Sequence, residues 1–199
     1  MHDLVIRGGT VVDGSGAPRF AGDIAIDGGR ITQVGGTAGA ARRVIDAAGA
    51  LVTPGWVDVH THYDGQVTWD PYLIPSSWHG VTTAVMGNCG VGFAPVKPDR
   101  HDWLIGLMEG VEDIPGAALA EGIHWEWEHF ADYLAALARK PLAVDVGAQV
   151  PHGALRVYVM GERGVADDSV ATPEDIAAMA AELRAGLRAG ALGFSTSRT

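Results

Sequence analysis

Cysteine is almost absent from this sequence, since Cys89 is the single one among 199 residues. One cysteine forms no internal disulfide, which fits a reducing compartment. Long apolar runs are missing too: no segment approaches the ~20 continuous apolar residues of a spanning helix, and the N-terminus lacks the basic-then-apolar run of a signal peptide. Positive charge is scarce, and a net charge of -10 argues against nucleic acid or an anionic membrane as partner. We therefore expect a cytoplasmic protein with neither partner.

Glycine is abundant instead, with 28 residues, most of them at turns between short apolar runs. Residues 1–53 are predicted to form a small, sandwich-like all-β module. Its expected strands are 3–7, 10–13, 22–26, 30–34, 43–46 and 50–53, with a hairpin at Asp27-Gly28-Gly29. Because about fifty residues bury little surface, this module is expected to pack against another part of the protein for its stability.

From Pro54 onward the pattern changes to strands alternating with helices, which predicts an α/β unit with a parallel sheet over residues 54–199. Strands are expected at the stretch that starts at Pro54 and at 82–86, 142–150 and 191–195, and helices at 100–111, 126–139 and 173–189. Thr172 and Pro173 are typical of a helix start, and Gly190 of its end. Polar residues follow the carboxyl ends of these strands, where a (β/α)₈ barrel holds its active site. Four strands amount to the N-terminal half of such a barrel.

The stretch from Trp56 to Asp64 alternates polar and apolar residues, which predicts a strand. On a strand, Asp58, His60 and His62 share one face, so two imidazoles lie side by side. Neutral imidazole is a common zinc ligand. We therefore interpret His60 and His62 as a metal-binding pair, the alternative being two polar residues at an exposed strand end.

Other candidate residues follow the later strands, and each has two interpretations. Cys89 is either a zinc-bound thiolate or a small buried apolar residue. Asp58 either orients an imidazole or belongs to a polar layer of the barrel, and His152 either faces the substrate or lies in a loop. Arg156 and Arg198 either bind a substrate carboxylate or are solvated.

Four motifs carry a resemblance to a known family. Pro-Gly-Trp-Val-Asp-Val-His-Thr-His at 54–62, after a glycine-rich β module, resembles the start of the amidohydrolase superfamily. Gly-Asn-Cys-Gly at 87–90 makes the chain similar to the N-acyl-D-amino-acid deacylases, or D-aminoacylases. The segments 151–156 and 193–198 look similar to that branch as well.

The resemblance implies zinc-dependent hydrolysis of the amide of N-acyl-D-amino acids, a small-molecule substrate. It implies that His60 and His62 form one metal position and that Cys89 helps to hold the tightly bound zinc. Asp58, Asn88, His152 and Arg198 are expected next to the metal ligands or on the substrate side. The family takes two further histidines and its catalytic aspartate from later strands, so that aspartate is expected beyond residue 199. On this view the chain alone is inactive and needs the C-terminal half of the barrel or self-association.

Two other functions remain open. The first is a cyclic-amide hydrolase of the hydantoinase or dihydroorotase kind, which bridges two metals with a carboxylated lysine on the fourth strand. Lys97 and Lys140 are the two lysines of the sequence, and neither is on the predicted fourth strand. The second is a non-catalytic, truncated fragment with an incomplete metal shell.

Overall fold

A computed structural model describes residues 1–112, 114–166 and 168–197. The chain divides into two compact units, Met1–Gly55 and Trp56–Thr199. The first is built from strands and the second from strands and helices, so the predicted α/β class is confirmed. No helix in the described part of the chain is both long and apolar enough to cross a membrane.

The first unit is one five-stranded sheet rather than the two layers of a sandwich. Its strands are β1 (His2–Val11), β2 (Phe20–Asp27), β3 (Arg30–Val34), β4 (Ala41–Asp46) and β5 (Leu51–Val52). Strand β1 lies in the middle of the sheet, antiparallel to β2 and parallel to β4 and β5. The hairpin predicted at Asp27-Gly28-Gly29 joins β2 to β3. The small core of this unit consists of Val5, Ala25 and Ala38.

Gly8 and Gly9 interrupt β1 without ending it, whereas the sequence predicted two separate strands there. The pairing of β1 with β2 shifts register between Ile6 and Gly9, and Gly8 has a φ of 71°. These are the marks of a β-bulge that contains glycine. A Cβ on Gly9 would lie 2.4 Å from a methyl carbon of Val52, so the bulge also allows β5 to approach closely.

The second unit contains parallel strands, as predicted. Strands β6 (Trp56–Asp58), β7 (Val81–Met86) and β8 (Asp145–Ala148) form one sheet in that order, and β9 (Val150–Pro151) pairs with β10 (Phe194–Ser195). The predicted strand 142–150 is thus two short strands separated by Gln149. The first predicted strand is shorter than expected, because β6 ends at Asp58.

Five α-helices accompany these strands in the described part of the chain, and two of them were not predicted. The helices are α1 (His101–Glu112), α2 (Gly116–Gly122), α3 (Phe130–Ala138), α4 (His152–Met160) and α5 (Pro173–Ala189). Helix α3 begins four residues later than predicted, after His129, whose backbone N–H donates to Asp132. Helix α5 has the predicted ends: the Asp175 N–H donates to the Thr172 side chain, and Gly190 has a φ of 114°.

The main core lies between these helices and the strands of the second unit. Its largest fully buried side chains are Tyr133, Phe93, Phe130, Leu73, Met86, Leu104, Leu119 and Leu155. Only part of the apolar stripe predicted on α5 contacts this core: Met179 and Leu183 pack against it, whereas Ile176 and Leu187 are exposed. The core supports the carboxyl ends of β6 and β7, where the candidate site lies.

Candidate metal centre

His60 and His62 follow β6 rather than belonging to it, which corrects the prediction that a strand carries them. Asp58, the last residue of the strand, accepts a hydrogen bond from the His60 N–H at 3.2 Å, and this local bond takes the place of a regular strand contact. The segment stays attached to β7 because the Thr61 N–H donates to the Val85 carbonyl at 3.0 Å. The imidazole centroids are 5.5 Å apart, so the two rings lie side by side as predicted.

Cys89 lies in a single 3-10 turn, Asn88–Gly90, directly after β7. Its φ of 55° is unusual for a residue other than glycine, and such conformations concentrate at functional sites. Gly87 and Gly90 on either side both have a φ of 74°. The resulting tight turn directs the cysteine toward the two histidines.

The three side chains converge. One imidazole nitrogen of His60, one of His62 and the sulfur of Cys89 all lie within 4.8 Å of one another. His60 Nε2 is 3.2 Å from Cys89 Sγ. Zinc binds nitrogen at about 2.1 Å and thiolate at about 2.3 Å, so two ligands of one ion are at most about 4.4 Å apart. Small side-chain rotations would therefore allow all three atoms to bind one ion.

The protonation of His62 also suits a metal. Its Nδ1 is buried without a hydrogen-bond partner, and burial, followed by the charge of His60, lowers the pKa of its imidazole. A lowered pKa favours the neutral form, which is the form that binds metals. Imidazole and thiolate together form a donor set that zinc prefers, so the residues present fit zinc.

Asn88 and Ser195 hold the turn that carries Cys89. The Asn88 amide donates to the carbonyls of Thr61 and Val85 and accepts from Gln149, and only 7% of the residue is exposed. These bonds favour a supporting role for Asn88 over substrate contact. Ser195 accepts from the Gly90 N–H at 2.9 Å and donates to the Gly87 carbonyl. Sequence reasoning placed Ser195 at a strand end but missed this link from β10.

His152 is the first residue of α4, so it is not the loop histidine that was the alternative. Its Nδ1 is 2.9 Å from the Thr196 hydroxyl, and it lines a cavity together with Cys89. Arg156 is one turn further along the helix, and its guanidinium donates to the carbonyls of Gly164 and Ser169. Arg156 is therefore occupied by backbone carbonyls, while Arg198 lies outside the described residues.

Asp64 was missed by the sequence interpretation, although it follows His62 by two positions. Only 2% of Asp64 is exposed, and its Oδ2 has no hydrogen-bond partner. Burial raises the pKa of its carboxyl from 3.8 to about 7, against the opposing effect of the backbone N–H groups of Gly87 and Asp64 itself. The available signal was its place two residues after His62, which continues the alternation of Asp58, His60 and His62.

Asp64→Asn should reduce the pH dependence of stability in zinc-free protein. The native carboxyl keeps a proton that the unfolded chain releases above about pH 4, so the free energy of unfolding falls as pH rises between about 4 and 7. Each pH unit within that window lowers the free energy of unfolding by up to about 1.4 kcal/mol. Denaturant unfolding at pH 5 and pH 7 measures this loss, which should be smaller in Asp64→Asn. Asp145→Asn, at an exposed carboxyl, is the control; equal losses in wild type and Asp64→Asn would refute the prediction.

Comparison with known proteins identifies relatives over almost the whole chain. A model of the amidohydrolase family matches residues 43–199. An N-acyl-D-aspartate deacylase of Alcaligenes xylosoxydans xylosoxydans is 40% identical over 195 residues, which are 98% of this chain and 36% of the relative. The chain thus spans just over a third of this relative.

Two solved structures are similar as well. A D-aminoacylase with a binuclear metal centre, activated by one metal and attenuated by the second, is 37% identical with a TM-score of 0.80, over 98% of this chain and 38% of that one. An N-acyl-D-glutamate deacylase of Bordetella bronchiseptica, complexed with zinc and a phosphonate mimic of the tetrahedral intermediate, is 34% identical with a TM-score of 0.73, over the same shares of 98% and 38%. The predicted resemblance to the N-acyl-D-amino-acid deacylases is confirmed, and the chain belongs to the amidohydrolase family.

Proposed function

We propose that this protein hydrolyses the amide bond of N-acyl-D-amino acids, with zinc held by His60, His62 and Cys89. The observation that carries the proposal is the convergence of two imidazoles and one thiol within 4.8 Å, after two adjacent parallel strands. The similarity to an N-acyl-D-aspartate deacylase and to a D-aminoacylase supports the same activity. The products are a carboxylate and a free D-amino acid.

The donor set supports zinc as the metal, as does the zinc in the related N-acyl-D-glutamate deacylase. When bound, zinc would act as a Lewis acid that polarises the acyl carbonyl and makes water acidic enough to attack near neutral pH. Neutral His62 and the thiolate of Cys89 are the forms needed for binding.

The chain's own residues keep these ligands in place. Asp58 holds the backbone of His60, while Asn88 connects the segment after β6 to the turn after β7. Ser195 connects that turn to the end of β10. The aspartate that moves the proton to the leaving amine is expected beyond residue 199.

We further propose that residues 54–199 supply the first four βα units of a (β/α)₈ barrel. The spatial order β6-β7-β8, the parallel pairing of β9 with β10, and the helices between them support this arrangement. The candidate ligands follow the carboxyl ends of β6 and β7, the end at which such barrels hold their active sites.

The cyclic-amide hydrolase is the weaker alternative. A bridging lysine on the fourth strand is required for it, and β10 is Phe194–Ser195. Lys97 lies before α1, and Lys140 follows α3, where its ammonium group donates to the Thr68 carbonyl at 3.0 Å. Neither lysine is therefore near the position that this mechanism needs.

The activity, and that of the variants described below, is tested with zinc-loaded protein that carries the complete barrel. Racemic N-acetyl amino acids are the substrates, and chiral chromatography identifies the released amino acids. We expect the D enantiomer alone from N-acetyl-aspartate, N-acetyl-glutamate or N-acetyl-leucine. A 5-substituted hydantoin and dihydroorotate should remain intact in parallel reactions. Cleavage of a cyclic amide with no release of D-amino acids would overturn the proposal in favour of the alternative.

Residues 1–199 expressed alone should lack this activity and should not remain a compact monomer. Trp56 and Val57 of β6 are exposed, and an exposed edge strand recruits other chains. Three protein ligands without a base are also too few for turnover. Sedimentation velocity and a deacylase assay with added zinc measure both properties, and a compact, active monomer would contradict the prediction.

A further inference from the structure

A cavity of about 290 Å³ in the second unit begins at Cys89. It runs from the turn after β7, between α1 and α4, to the short 3-10 helix Gly161–Val165 that follows α4. Cys89 belongs both to the wall of this cavity and to the candidate metal centre. A substrate whose reacting carbonyl lies at the metal centre can therefore place one of its two ends in this cavity.

Most of the cavity wall away from Cys89 is apolar. Val91, Met108 and Val157 are buried core residues that form its floor. Leu107 and Val165 flank its far end and remain 37% and 45% exposed. Because covering such side chains with hydrocarbon is favourable, this end suits an aliphatic group rather than water or an ion.

Polar groups occur at the Cys89 end, where the His152 imidazole bonds to the Thr196 hydroxyl. None of the described residues that line the cavity is Asp, Glu, Lys or Arg. The amino-acid half of the proposed substrate carries a carboxylate, and such a group requires a cationic partner when it leaves water. The acyl half is uncharged, so it matches this lining.

We propose that this cavity binds the acyl group of the substrate and that Leu107 and Val165 select medium-length aliphatic chains over acetyl. This inference rests on the proposed deacylase function. Each methylene buried against the apolar wall strengthens binding by about fourfold. The far end opens onto a second groove, lined by Asp102, Trp103 and Gly106 as well as Leu107 and Val165, so longer chains can extend beyond it.

The matched pair Val165→Trp and Val170→Trp tests the inference in the zinc-loaded protein. Val165 flanks the cavity, whereas Val170 is 84% exposed and does not line it. Wild type should prefer N-octanoyl-D-alanine to N-acetyl-D-alanine by more than about tenfold in kcat/KM, and Val165→Trp should remove about tenfold of that preference. Turnover of N-acetyl-D-alanine should stay within about twofold in Val170→Trp, and the thermal unfolding of both variants shows that they fold.

N-acetyl-D-leucine separates the acyl group from the amino-acid side chain as occupant. If Val165→Trp impairs this substrate and spares N-octanoyl-D-alanine, the cavity binds the side chain, and the inference is overturned. Equal octanoyl preference in wild type and Val165→Trp also overturns it, while the deacylase function stands.

Calorimetric binding of N-methyloctanamide, with N-methylacetamide as reference, tests the cavity without turnover. Val165→Trp should weaken binding of the octanamide by about tenfold, and Val170→Trp should not. If no N-acyl-D-amino acid is hydrolysed but this binding pattern holds, the proposed function fails while the apolar acyl-amide site stands. Absence of octanamide binding overturns the inference itself.

Discussion

Cys89→Ala should abolish the tight zinc binding that we propose. Thiolate is the softest ligand in the cluster, and Cys89 is the only cysteine among residues 1–199, so no other residue of this segment can supply the sulfur. Structural zinc sites gain about 10–16 kcal/mol from some four ligands. Loss of one ligand should therefore lower zinc affinity by on the order of 100-fold.

Zinc per chain, measured by mass spectrometry of metals after dialysis against a weak chelator, reports this loss. His60→Ala should also lower the zinc content, whereas His79→Ala, at an exposed histidine that does not belong to the cluster, should leave it unchanged. If Cys89→Ala contains as much zinc as wild type, Cys89 is a small apolar residue and not a metal ligand.

Gly87→Ala should be among the most damaging single substitutions in the second unit. A Cβ at this position would lie 2.1 Å from the Gln149 carbonyl oxygen, far inside van der Waals contact, and the φ of 74° disfavours any other residue. The turn must therefore move, and with it Cys89 and the bonds to Ser195. We expect a loss of more than about 3 kcal/mol in the free energy of unfolding, together with reduced zinc content.

Gly190→Ala is the matched control, because it shares a positive φ of 114° but has no atom within 4 Å of the added Cβ. Gly190→Ala should lower the free energy of unfolding by about 1 kcal/mol, which is the effect of the backbone conformation alone. Denaturant unfolding of both variants measures the difference. Similar losses in the two variants would show that the close approach to Gln149 does not constrain the turn.

Elements whose signals are local were predictable from the sequence. The ends of α5 follow from Thr172, Pro173 and Gly190, whose preferences act within a few residues. The grouping of His60, His62 and Cys89 at one end of the sheet follows from the rule that parallel strands bring their carboxyl ends to one edge, although the sequence placed both histidines on the strand rather than after it. Their mutual distances do not follow from that rule, because they depend on the turn conformation at Cys89.

Elements that depend on distant contacts were not predictable. Helix α4 begins after Pro151 with no side-chain cap, and its second residue is Gly153, which discourages a helix assignment. That glycine is needed because a Cβ there would lie 2.7 Å from the Gly90 carbonyl oxygen. The raised pKa of Asp64 likewise arises from burial by parts of the chain remote in sequence.

X-ray absorption at the zinc edge reports directly which atoms bind the metal. We predict a single sulfur neighbour at about 2.3 Å and nitrogen or oxygen neighbours at about 2.0–2.1 Å. Residues 1–199 contain one cysteine, so we assign the sulfur neighbour to Cys89, and it should vanish in Cys89→Ala. A spectrum of the wild-type zinc protein without any sulfur neighbour would contradict the claim that His60, His62 and Cys89 form the metal centre.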